Sequence, residues 1–116
     1  MDAPKIRLKD NPEAKISAAI VDYLKLRDWF VKKTHGNAYT DGWPDLFVCH
    51  HTFGQRWVEV KLPDMKGSHF TAAQLRDFPM FCAKGSGVWV LTGATEFEYQ
   101  KLFKPPNYWQ YLSIWK

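Results

Sequence analysis

Two short segments rich in β-forming residues, 45–49 and 56–61, follow each other closely along the chain, joined by a polar connection that contains Gly54. This pair constrains the fold more than any other feature. The segments read as the two strands of a hairpin, and beyond Arg56, which opens the second, they carry three charged side chains, Asp45, Glu59 and Lys61, among mostly apolar neighbours. Alternate residues of a strand share a face. A register with Asp45 opposite Lys61 and Phe47 opposite Glu59 projects all three charges from one side, with diagonal neighbours within about 7 to 8 Å. The flanking Trp43, Leu46, Phe47, Val58, Val60 and Leu62 leave these charges only partly solvated, and charges so placed need compensation. A divalent cation supplies it. Hard oxygen ligands suit Mg²⁺ or Mn²⁺, and such an ion beside a lysine suits phosphodiester hydrolysis. The competing reading is an ordinary cross-strand Asp45–Lys61 ion pair, worth roughly 0 to 1 kcal/mol.

The rest of the chain supplies a scaffold for such a hairpin. At 116 residues, 46% of them hydrophobic and nineteen aromatic, the expectation is one domain with its own core. Asp10 or Asn11 can cap a first helix that has Pro12 in its first turn and runs to about residue 27. Residues 29–34 read as a strand, and 62–70 as a loop. Thr71 and Gln74 stand at capping-box spacing for a second helix to about residue 83, which Pro79 bends. Residues 88–92 form a short apolar strand. A helix over 96–103 follows, capped by Thr95 and stopped by Pro105 and Pro106. The order of elements predicts an α/β fold with a mixed central sheet flanked by helices.

Glu13 falls on the apolar stripe of the first helix, three residues before Ile16 and seven before Ile20. It can reach a metal directly or through water, or it can simply complement the helix dipole. Gln74 can return to the cap backbone or point into the site, and the two roles are compatible. Lys32, Lys33 and Lys66 flank the hairpin and can engage phosphates. The four histidines and the two cysteines, Cys49 and Cys82, show no zinc-ligand spacing. Widely separated cysteines, with no cleavable leader and no apolar run near the roughly 20 residues of a membrane helix, point to a reduced, cytoplasmic protein.

Gly42-Trp43-Pro44-Asp45, then Glu59-Val60-Lys61, with Glu13 on a preceding helix and Gln74 on a following one, resembles the VRR-NUC family of the PD-(D/E)XK, restriction-endonuclease-like nucleases. The resemblance covers about residues 11–92. It implies a restriction-endonuclease-like fold and a single nuclease domain over 1–116, with a core of about 11–104 and an aromatic C-terminal extension, 105–116. It also implies a Mg²⁺- or Mn²⁺-dependent DNA endonuclease. In that picture Asp45, Glu59 and the main-chain carbonyl of Val60 hold the ion, Glu13 completes the site, Lys61 assists the attacking water and Gln74 lies beside them. Stand-alone members of the family look like homodimeric Holliday-junction resolvases, so a homodimer acting on branched DNA is implied.

A net charge of +4 suits a polyanionic partner, and residues 1–36 hold +3 of it. With Glu13, Asp45 and Glu59 neutralised by metal, sixteen basic side chains face nine acidic ones, a balance of +7. The alternative function is a nucleic-acid-binding module of the same fold without useful catalysis. The C-terminal Tyr108, Trp109, Tyr111, Ile114 and Trp115 can cover the core's edge, bury against a second subunit or stack on unpaired bases.

Overall fold

The computed structural model describes residues 12–34, 42–63 and 70–111. A first helix, α1 (Pro12–Lys25), has Pro12 at its start, Glu13 in its first turn and Lys25 in its last, and buries Ile20, Val21 and Leu24. Its proposed caps, Asp10 and Asn11, lie outside the described residues. Asp28, in the left-handed region at φ 73°, turns the chain out of the helix, and the Trp29 N–H donates back to the Leu24 carbonyl.

Strands β1 (Phe30–Lys33), β2 (Leu46–His50), β3 (Gly54–Val60) and β4 (Val88–Leu91) form one mixed sheet in that order. The first two pairings are antiparallel and β3–β4 is parallel, through the crossover helix α2 (Ala72–Ala83). Helices flank the sheet on both faces, so the α/β class read from the order of elements holds. On one face Leu46, Val48, Val58, Val60 and Leu91 bury against α1, Trp29 and Leu102. On the other, Val88 and Val90 bury against Phe70, Phe78 and Tyr108.

Three expectations need correction. The predicted register of Asp45 against Lys61 is two residues off, since Leu46 pairs with Val58 and Phe47 with Trp57, which sets Asp45 opposite Glu59. The reason is the connection: His50 pairs with Gly54, whose φ of +89° closes the hairpin tightly. Gly54 is thus the first residue of β3 rather than part of a longer loop. The predicted helix over 96–103 is α-helical only as α3 (Glu96–Gln100) and tightens into a 3₁₀ turn over Lys101–Phe103.

Within the described part of the aromatic C-terminus, Tyr108 joins the core and Tyr111 packs against it, while Trp109 is exposed. Tyr108 is fully buried and meets Phe78 edge-on. Asn107 sits at the open edge of β4, where its side chain accepts from the Val90 N–H (2.6 Å) and donates to the Val90 carbonyl (3.1 Å). One amide side chain thereby satisfies an edge-strand residue as a neighbouring strand would. Ile114 and Trp115 lie outside the described residues.

Candidate active site

The approach to Asp45 is built from a turn and a brace. Gly42 has φ +90°, and a side chain there would meet the Asp77 carboxylate at 2.5 Å and Ala73 of α2 at 3.2 Å, so the position requires glycine. Thr34, just past β1, donates its N–H to the Asp45 carbonyl at 3.0 Å, and its hydroxyl lies against the Pro44 and Asp45 carbonyls. Pro44 and this brace fix where Asp45 enters the sheet.

The register slip of two residues keeps every side chain on its face, so the charges still converge, and more closely than predicted. The Asp45 N–H donates to Glu59 Oε1 (3.1 Å), and the Val60 N–H donates to Asp45 Oδ2 (2.8 Å). Glu59 Oε2 accepts from Gln74 Nε2 (2.9 Å) and lies 3.2 Å from the Lys61 ammonium. Glu59, Lys61 and Gln74 are only 2, 3 and 4% exposed. The ammonium also sits 4.9 Å from the ring centre of Phe70, a favourable cation–π placement.

Gln74 fills both roles open to it. Its Oε1 accepts from the Thr71 N–H while Thr71 Oγ accepts from the Gln74 N–H, completing the capping box of α2. Its amide nitrogen is left to hold Glu59. Burial pushes the Glu59 carboxyl up to about 8, the adjacent Asp45 charge adds to the rise, and Lys61 and Gln74 pull against it. Two carboxyl groups therefore meet here, beside one ammonium.

Asp45 forms the boundary between this buried cluster and an open cavity of about 380 Å³ lined by Glu13, Ala14, Ser17, Lys33, Asp45, Leu46 and Val60. Glu13 and Lys33 thus face the same space as Asp45. Glu59 stands behind this wall with both oxygens engaged. Among the described residues, no group of three or more His, Cys, Asp or Glu is placed to hold a metal ion. The fit to Mg²⁺ or Mn²⁺ lies in a smaller set, Asp45 and Glu13 with Val60, because magnesium commonly takes one or two carboxylates and fills its other positions with water and substrate oxygens.

Lys32, opposite Phe47, is exposed on the sheet face that carries Glu59, whereas Lys33, opposite Leu46, points to the cavity side. Lys66 lies outside the described residues. His50 and His51 stack at the hairpin turn, while His35 and His69 lie outside the described residues. Both cysteines are free thiols. Sequence reasoning missed Thr34, Ser17 and Phe70. Only Phe70 left a trace, as the residue before a capping box.

No protein-family model matches this chain, and neither a curated protein nor a solved structure matches it. Among the described residues, no helix is long and apolar enough to cross a membrane.

Proposed function

We propose that this chain is a Mg²⁺- or Mn²⁺-dependent DNA endonuclease of the VRR-NUC kind, with the restriction-endonuclease-like fold, acting as a homodimer on branched DNA such as four-way junctions in the cytoplasm. The observation that carries this reading is the convergence of Asp45, Glu59, Lys61 and Gln74 at the end of the hairpin, beside a cavity that Glu13 and Lys33 also line.

Asp45, Glu13 and the Val60 carbonyl are the groups that would hold the ion, with Glu59 behind them. When bound, the metal supplies Lewis-acid activation of the phosphodiester and a bound water of lowered pKa. The chain does the rest. Glu59 fixes the backbone N–H of Asp45 and orients the Lys61 ammonium. Gln74 holds Glu59 from the far side. Lys61 directs the attacking water and offsets charge on the phosphorane, and Lys33, with Lys32 and Lys66, binds flanking phosphates.

The test compares wild type with Asp45→Ala and Lys61→Ala on junction, flap, single-stranded and linear duplex DNA, with and without Mn²⁺. Metal-dependent cutting lost in both variants is the expected result. Equal cutting by both variants overturns the site, and salt-sensitive binding without any turnover leaves the binding-module alternative.

A further inference from the structure

On the sheet face that carries Glu59, Phe47 and Trp57 stand side by side on β2 and β3. A second groove of about 340 Å³ lies there, lined by Trp43, Trp57, Met80, Phe81, Lys84 and Ser86. Its size falls within the range of small-ligand sites, about 300 to 1,000 Å³. Trp43 is 41% exposed and Met80 54%. Trp43 meets Trp57 at 5.1 Å and 75°, and Phe81 at 6.1 Å and 87°, so the rings stand edge-on to one another with Trp43 still partly exposed. Contiguous apolar surface, unlike singly exposed rings, marks interaction sites.

Charge and position indicate what would cover them. Lys84 lines the groove, Lys32 projects exposed from the same sheet face, and no acidic side chain is among the described residues lining the groove. Aromatic walls flanked by ammonium groups match a stacked base followed by its phosphate, whereas an aliphatic peptide or lipid chain has no use for the lysines. Trp43 is also two residues from Asp45 through the stiff Pro44. Two residues span at most about 7 Å, a distance that one or two nucleotides of a strand, at about 3.4 Å rise each in a duplex, also cover.

We infer that this groove stacks an unpaired nucleotide next to the scissile phosphate, so that the substrate is DNA with a single-stranded segment at the cut. The position of the cut rests on the nuclease reading above, while the stacking itself does not.

The experiment therefore separates the two. Binding of an eight-residue thymidine oligonucleotide and of a blunt duplex is measured in chelator, where no metal-dependent cutting occurs. The proteins are wild type, Trp43→Ala, Trp43→Phe and Lys84→Ala, and the mass of each in solution is read alongside. Trp43→Ala is expected to weaken oligonucleotide binding between about 5-fold and about 150-fold. Trp43→Phe should hold most of the affinity, and duplex binding should change less than about 2-fold. Lys84→Ala should lower the salt slope of oligonucleotide binding by about 1. Unchanged oligonucleotide binding in Trp43→Ala and Lys84→Ala overturns the inference. So does an equal loss for both DNAs, or a dimer that falls to a monomer in Trp43→Ala while oligonucleotide binding persists, which would assign the face to a second copy. Should Trp43→Ala fail to fold, the exposed Met80→Ala and Lys84→Ala carry the same outcomes. A wild type that binds the oligonucleotide through Trp43 yet cuts no DNA with Mn²⁺ would defeat the nuclease reading and leave stacking intact.

Discussion

Glu59 accepts contacts from three directions, from the Asp45 backbone, Gln74 and Lys61, and it is buried enough that its carboxyl is pushed up to about 8. A carboxyl held above its ordinary value binds its proton more tightly in the folded chain than in the unfolded one. The stability it contributes is therefore full below its ordinary value of about 4.5, declines as pH rises, and is lost above about 8. Glu59→Gln removes this titration. Urea unfolding at pH 5 and pH 8 should show wild type losing on the order of a few kcal/mol more than the variant between the two. Gly42 tests the other side of the same geometry. Alanine there takes an unfavourable left-handed conformation, about 1 to 2 kcal/mol, and its methyl presses on Asp77 and Ala73. Gly42→Ala should lose at least that much stability by denaturant melts. The identities of Asp45, Glu59 and Lys61 were legible in the sequence because charges in apolar strands have few explanations. The brace from Thr34 was not, since a threonine after a strand has many.

At the scale of elements, the pattern of the hairpin predicted which side chains share a face, and that survived a two-residue error in register because the strand period is two. The register itself was illegible: it depended on whether Gly54 sits in the loop or opens β3, and its pairing with His50 puts it in the strand. The capping box of α2 was legible from Thr71 and Gln74, while the second bond of Gln74 depends on how α2 lies over β3, a tertiary fact. This double use sorts three substitutions. Thr71→Ala should cost about 1 kcal/mol, the ordinary loss of a cap. Gln74→Ala removes the box and a partner of a buried carboxylate, roughly 1 to 3 kcal/mol more. Gln74→Glu keeps a capping acceptor but sets a third carboxylate against Glu59, so at pH 8 it should be less stable than Gln74→Ala, and the gap should narrow at pH 5. Asn107 is the comparable device at the sheet's open edge. Asn107→Leu leaves the Val90 N–H and carbonyl unpaired in a buried setting and should cost at least about 1 to 3 kcal/mol in thermal or urea melts.

Across the whole molecule, the candidate site lies at the end of the sheet where β2 begins and β3 ends. The buried half, Glu59 with Lys61 and Gln74, backs onto the face under α2, and the open half, Asp45 with Glu13 and Lys33, faces the cavity beside α1. The resemblance implied three carboxylates in one ligand set, whereas Glu59 lies in a buried wall and Asp45 and Glu13 line a cavity. That division links metal binding to pH. A cation held at Asp45 favours the ionised form of Glu59, so by reciprocity binding should release a proton while Glu59 is still protonated. Mn²⁺ affinity should therefore rise from pH 6 toward pH 8 and level off above. At a hundred times its dissociation constant Mn²⁺ adds about 2.7 kcal/mol, a rise in Tm of roughly 10 °C for a chain of this size. Calorimetric titrations at pH 7 in two buffers of different ionisation enthalpy would detect the released proton. Asp45→Ala should abolish the Tm shift, and Glu59→Gln should keep a shift while losing its pH dependence. A shift in Asp45→Ala equal to that of wild type would place the ion elsewhere on the surface.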